Sequence, residues 1–595
     1  VTNGKILTVK GELQFTNGAQ IDASSTSSAI VFAGTSAQSL PSGALYNNNV
    51  YNLIVNNPSN VSLNGTVNLL NTISSQEGFF DAYSNSTTFV YAGSSAQSVE
   101  DSVFLDNKAY NFTIDNGVGV TLNTDFLLTN NLLINTSKIL TISTSCGLTV
   151  NGTLTNNAGA AGLVIKSSDT EPNGSLIFFN SYANAVQASV EMFSKSTWDL
   201  GQPSGSRYNW QYFGIPVRSI GALPTFYGGY VRQRNEAATS TATHWVQLNN
   251  YSVLSPFIGY ELCFQTQRTI TLNGELVNYN FNSGQLAKTT GAIYPGQHVL
   301  ANPYTAAIDI RQIDFGSDME ATVYLYNTGS FNAWSSNESK VGSTPGQYVS
   351  VPKNLAGYAG IPRQVPSMSS MLTRVLTSST NAYVNIPYSS VVMKNSEMQR
   401  VKGKVSGSDL SENNIISTVV SLEGAKRADK MWIFVADAFT RNFDNGYDGK
   451  KISPVSGMPR IYGSETDFNY NIDAVNDMNN TVLGFRAGVD TAYVLRFEHQ
   501  NTETKYKKIE LLDTKTNTIT DITESGSTYS FTATNTTSSV DRFIIMAQKI
   551  EDDVTEVDVY TEGENIWLRK LSQSDASVVV TDMAGRVLYN QKVTS

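Results

Sequence analysis

No arginine occurs in the first 206 residues of this 595-residue chain, and residues 1–180 carry only five lysines against eleven Asp or Glu. The net charge of −10 is spread without a basic stripe. Both facts exclude nucleic acid as a partner, because phosphate binding needs clustered Lys and Arg. They also exclude a uronate lyase on a β-helix, which needs basic and acidic groups gathered on one face to neutralise a carboxylate and abstract a proton. Histidine is almost absent. His244, His298 and His499 are the complement, and none lies beside a Gly-x-Ser-x-Gly element or an identifiable third group, so no hydrolase triad can be drawn. Cys146 and Cys263 stand 117 positions apart, a spacing that fits no metal or redox motif and leaves two buried thiols or one disulfide. No run approaches the ~18 apolar residues of a membrane helix. A signal peptide is missing too: the opening VTNGKILTVKGELQF reads like the middle of a strand, as expected of a mature form or a fragment.

What is present is a repeat. Residues 32–71 and 91–130 align without a gap at a spacing of 59, with 15 of 40 positions identical, among them Gly34/Gly93, Gln38/Gln97, Tyr51/Tyr110, Asn57/Asn116 and Leu63/Leu122. Self-similarity at a fixed period predicts stacked units sharing one core. The segments between Asn-Gly, Asn-Asn and Ser-Ser turns alternate apolar and polar over short stretches, which is strand periodicity. At ~20 residues per rung the repeat covers three rungs, and rungs ~4.8 Å apart give a rod of roughly 40 Å. Polar character there comes from Asn, Ser, Thr and Gly, which ladder between copies without repelling them. Asn56, Asn57, Asn64, Asn116 and Asn123 are expected at the corners, in left-handed geometry and bonded to the next rung.

The chain divides by texture: 1–180, the solenoid; 181–385, a mostly β domain rich in aromatics; 386–548, a β region with ordinary charge density and regular strand spacing; and 549–595, an acidic connector and short β tail. The fold class expected is all-β. An N-terminal right-handed β-helix (solenoid) would be followed by β-sandwich domains of immunoglobulin-like shape and a truncated C-terminal β sorting segment.

Three sets of residues carry candidate chemistry. Asp444, Asn445 and Asp448 in FDNGYDG place oxygens at i, i+1 and i+4 around a glycine, which can begin a Ca²⁺ site or simply make an Asx-rich turn. The acidic turn DFGSDME, Asp314 to Glu320, makes a weaker case. Trp210, Tyr212 and Tyr227, within a larger aromatic group, would make a carbohydrate-stacking platform or the core of a β domain.

The tail VDVYTEGENIWLRKLSQSDASVVVTDMAGRVLYNQKVTS resembles the C-terminal sorting domain of the type IX secretion system, which exports proteins to the surface of Gram-negative Bacteroidota. Asp582, Gly585 and Arg586 stand in that family's strand–D..GR–strand hairpin, a four-residue turn between apolar runs. The chain departs from the pattern by stopping before the family's last strand and basic end. WQYFGIPV, GQHVLANPYTAAIDI and FDNGYDGKKI resemble landmarks of the long surface proteins bearing such tails. Asp101-Ser102-Val103 and Asp490-Thr491-Ala492 resemble the O-glycosylation acceptors of these bacteria. The resemblance implies a secreted, outer-membrane-associated cell-surface protein whose partners are the secretion and attachment machinery, copies of itself in a homopolymer, other surface proteins, or glycans. The function expected is therefore non-enzymatic: a structural or adhesive protein, as a subunit of a surface filament or layer. The alternatives are a surface carbohydrate-binding protein and cargo held to the secretion machinery by its tail.

Overall fold

A computed structural model describes residues 1, 4–201, 207–326, 347–394, 415–425, 427–452, 458–534, 538–550, 557–562, 565–570, 576–581 and 586–593. Strand makes up 49% and helix 4%, so the fold is all-β. No described helix is long and apolar enough to cross a membrane.

The first part is a β-solenoid of about eight turns. Most of its strands are three or four residues long with a buried–half-buried–buried pattern, as in Val61–Leu63 and Val120–Leu122. Side chains alternate across a strand, so two apolar residues point in and one Ser or Thr points out. Each rung stacks parallel on the last. Ile6–Val9 pairs with Ala29–Phe32, that strand with Leu45–Asn56, then Thr66–Glu77, then Thr88–Tyr91. Ala29–Phe32 to Thr88–Tyr91 is thus three steps, and the 59-residue repeat is three rungs. The interior from Phe89 to Phe126 is filled by a column of rings whose centroids lie between 4.9 and 6.1 Å apart.

The corners differ from expectation. Asn56, Asn57, Asn64, Asn116 and Asn123 are absent from the residues with positive φ. The left-handed positions fall instead on Ser27, Ser86 and Ser145, and on Asn47–Asn48 and Asp106–Asn107. These sets too are spaced 59 apart, so the backbone repeats more faithfully than the residue types do. Small polar residues tolerate this geometry by bonding locally. Of the expected corner residues, Asn57, Asn64 and Asn116 serve as ladder rungs: their amides donate to Ser36 O, Leu40 O and Ser95 O of the preceding coil.

Where the repeat ends, packing does not. The strand Gln187–Ser194 stacks parallel on Leu163–Ile165 and pairs antiparallel over its whole length with Arg268–Glu275. The solenoid core continues without a gap into Phe213, Ile215, Val217 and Leu262. Small antiparallel sheets follow, including one ordered Gln297–Ala301, Ser370–Arg374, Thr322–Tyr326, Tyr348–Pro352. The region after 415 holds one continuous eleven-stranded sheet rather than two separate ones. It curls around a core drawn from both of its ends, with Tyr493 and Phe531 near one end and Ile509 and Leu511 near the other. Ala428–Val435 and Asn469–Val475 pair parallel, whereas antiparallel sandwiches were expected. The long excursion between them, which contains FDNGYDG, supplies the crossover that a parallel pair needs. The tail forms two hairpins, Val557–Glu562 with Asn565–Lys570 and Ala576–Thr581 with Val587–Val593. Of the sorting-motif residues, Asp582 and Gly585 lie outside the described residues; Arg586 is exposed at the start of the last strand.

Candidate functional site

The two ends of the solenoid are built differently. At the far end each of the three parallel sheets meets a partner. The second sheet is continued by Arg268–Glu275. On the third, Leu176 N donates to Thr305 O (2.9 Å), Thr305 Oγ1 donates back to Leu176 O (2.8 Å), and Phe178 N donates to the Tyr388 hydroxyl. On the first, Asn180 imitates a strand: its Oδ1 accepts from Leu154 N at 2.9 Å and its Nδ2 donates to Leu154 O at 2.7 Å. At the near end Ile6–Val9 is the terminal strand of its sheet among the described residues, and Ile6 is 63% exposed. A free strand edge presents N–H and C=O groups that can accept further pairing.

Inside the rod, residues the repeat keeps identical form a buried polar network. Gln97 Oε1 accepts from Gly93 N (2.9 Å) and Asn116 Nδ2 (2.9 Å), and its Nε2 donates to Leu69 O and Asn71 O of the coil below. Gln38 repeats this with Gly34, Asn57, Val9 O and Gly11 O. A glycine is required at Gly34 and Gly93 because an added Cβ would lie 2.7 Å from the glutamine Cδ. The network ties three coils together and satisfies polar groups that burial would otherwise leave costly.

The aromatic residues singled out from sequence do not share one platform. Trp210 stacks on Tyr208 (5.4 Å) and carries the Arg232 guanidinium over its face at 3.7 Å. Tyr212 is buried, stacked on Tyr326 (4.6 Å) with its hydroxyl bonded to Tyr348. Tyr227 is 76% exposed on a separate turn after a short helix.

The side-chain oxygens of the FDNGYDG loop accept from backbone N–H groups within and around the loop. Asp444 Oδ2 accepts from Thr440 N (2.7 Å), and Asp448 accepts from Asp444 N (2.6 Å) and Ala474 N (2.7 Å). Asn445 reaches across to the preceding domain, donating to Met319 O and accepting from Ala321 N. Burial pushes the Asp448 carboxyl up to about 8, with Asp473 and Asp444 adding to the shift against the opposing backbone bonds. Among the described residues no group of three or more His, Cys, Asp or Glu is arranged to hold a metal ion. Through Asn445 the loop is tied to Met319 and Ala321. The three histidines are likewise fastened locally, His298 to Ala287 O, His244 to Thr241 O and His499 to Ile522 O.

Sequence reading missed a cavity of about 520 Å³ between the aromatic-rich domain and the curled sheet. Arg234, Arg374, Lys450, Lys451 and Arg460 all line it, and among the described residues no Asp or Glu does. These five cations come from three separated stretches of the chain, around 234, 374 and 450–460, so no single local motif announces the cluster.

No family model matches this chain, and no solved structure matches it. The chain is 34% identical over 397 residues to the minor fimbrium subunit Mfa5 of Porphyromonas gingivalis. The match takes in 62% of this chain and 31% of that protein, so the chain spans about a third of the length of the curated relative it matches.

Proposed function

We propose that this chain is a non-enzymatic structural subunit of a bacterial surface filament, with the solenoid as its stiff arm. The observation that carries this is its likeness to a fimbrial subunit over 397 residues. The architecture supports it. A parallel stack sealed at one end and anchored into a continuous core transmits force along its length, because each rung contacts only its neighbours. The free edge at Ile6–Val9 is the surface where stacking can continue, by residues of a longer chain or by another subunit. Electron microscopy of filaments sheared from the producing cells, with antibody to this chain, tests the reading. Label on the filaments supports it; filaments free of label, with the chain recovered as single particles, overturn it.

The tail's resemblance to a type IX sorting domain supports export by that route. The described strands of the tail pair as two antiparallel hairpins, the β character that the resemblance implies. Deleting 557–595 is expected to retain the protein inside the cell envelope. Undiminished surface display of the deleted chain would refute the assignment.

A further inference from the structure

The cationic cavity is an unusual feature of a chain with net charge −10. Two of its cations already have carboxylate partners in the protein: Arg374 lies 3.4 Å from Glu320 and Lys451 2.7 Å from Asp429. Two others do not. The Arg234 guanidinium donates through one nitrogen to the neutral Gln297 amide at 2.8 Å, while its Nε is buried with no hydrogen-bond partner. Lys450 is 8% exposed, and its ammonium rests on the rings of Phe468 (3.4 Å) and Phe443 (4.6 Å) with no carboxylate in ion-pairing distance among the described residues. Burial also pulls the Lys450 ammonium below its ordinary range. The Lys450 ammonium feels Glu320 and Asp467 at longer range, against the opposing charges of Arg374 and Lys288, but no carboxylate reaches it directly among the described residues; an anion at this spot would offset its burial and engage the unpaired guanidinium donor.

The remaining walls indicate what kind of anion. Trp245 and Tyr294 line the cavity, and Arg234 lies over both rings, 5.7 and 5.1 Å from their centroids. Tyr294 is 37% exposed. Aromatic walls beside one or two charge-assisted donors suit a ring with an apolar C–H face and a carboxylate. The volume admits a mono- or disaccharide unit and not a folded partner. Inorganic phosphate would use the cations and leave the aromatic wall without a role.

We propose that this cavity binds an acidic sugar residue, its carboxylate held by Arg234 and Lys450 and its ring lying on Tyr294 and Trp245. The proposal is independent of filament assembly, since all the described lining residues come from one chain.

Calorimetric titration of the full chain tests it, with 3′-sialyllactose and trigalacturonate as two sources of a sugar carboxylate, lactose as the neutral sugar and inorganic phosphate as the bare anion. The expected result is that at least one acidic sugar binds at least tenfold more tightly than lactose or phosphate; which one binds identifies the source. Lys450→Met is expected to weaken that binding about tenfold or more, as loss of a charge-assisted contact does. Because Lys450 is buried, Tyr294→Ala on the rim provides a variant less exposed to misfolding, expected to weaken binding several-fold. No binding of either acidic sugar overturns the proposal, as does phosphate binding as tightly as the sugars. So does unchanged acidic-sugar affinity in a folded Lys450→Met or Tyr294→Ala protein.

Discussion

The solenoid and the curled sheet solve the same problem, burying polar groups in a β core, with different chemistry. The solenoid uses neutral amides: Gln38 and Gln97 bridge coils, and Asn71 donates to Asn52 (2.8 Å) as Asn130 does to Asn111 (2.9 Å), 59 positions on. Its ion pairs, such as Lys138–Asp115, are at least partly exposed. The curled sheet instead buries charge outright, with Arg542–Asp513 and Lys451–Asp429 at side-chain exposures of 5% or less. The difference follows from stacking. A repeating rod sets each residue near its own copy, so a charge would meet a like charge a rung away, whereas an amide both donates and accepts. No residue of the curled sheet faces its own copy, so opposite charges can be paired there once and sealed.

The largest effect expected from breaking this contrast is at Asp513. Its carboxylate takes Arg542 in two hydrogen bonds (3.0 and 2.7 Å) and also accepts from Tyr529 and Lys515 N. Burial alone would raise its pKa, but those donors hold it below the ordinary carboxylate range. Asp513→Ala strands the guanidinium and should cost about 3–5 kcal/mol, read as a lower-melting transition of the curled sheet with the solenoid transition unmoved. The wild-type contribution should be intact above the unfolded-state value near pH ~4 and fade as acid protonates the folded carboxylate. Next is Gln97→Ala, which leaves Gly93 N and the Asn116 amide without their acceptor and should cost about 2–4 kcal/mol. Gln38→Ala, one repeat away, removes the same set of bonds and should cost a similar amount. A loss at one site only would show that the network is not equivalent in the two repeats.

A smaller effect has the opposite pH sign. Burial raises the Asp473 carboxyl to about 8, and its Oδ2 has no partner. The folded state therefore keeps a proton that the unfolded state releases near pH ~4, so this group's contribution is full below that value and declines as pH rises towards about 8. Asp473→Asn should remove the slope, coming closest to wild type at the lowest pH scanned and melting progressively higher than wild type up to pH 9 in calorimetric scans. A parallel decline in the variant would show that another group sets the slope.

How much of this was legible in the sequence depended on whether the signal was local. The repeat was, because Gln97, Gly93 and Asn116 keep fixed spacings that one network requires. The number of rungs per repeat followed from the usual ~20 residues per rung. The corners were not: Asn is so frequent in this rod that residue type could not separate ladder positions such as Asn57 from the left-handed Asn47, Asn48 and Asn60. Trp210, Tyr212 and Tyr227 were grouped by proximity in the chain, yet a buried strand position and an exposed turn face different surroundings. The cavity was the least legible feature. Arg234, Arg374 and Lys450 converge only because the aromatic-rich domain and the curled sheet pack together.

The rule that like stacks on like, and so must be neutral, can be tested on its own at Asn111 and Asn130. Asn111 Oδ1 accepts from Asn130 Nδ2 and Asn131 N, and its Nδ2 donates to Thr88 Oγ1 at 3.1 Å. Asn111→Asp keeps both accepting roles and loses only that one donor, so alone it should cost roughly 0.5 kcal/mol. Adding Asn130→Asp places two carboxylates about a rung apart, ~5 Å, where repulsion at a half-buried face is on the order of 1 kcal/mol or more. The double variant should therefore lose more than the sum of the singles, and the excess should shrink in high salt. Asn111→Asp with Asn130→Lys should recover the loss, because the alternation of charge removes the like pair. Additive costs in the first double variant would mean that charge repulsion between rungs is not what keeps the rod neutral, and that its amide composition reflects hydrogen-bond geometry alone.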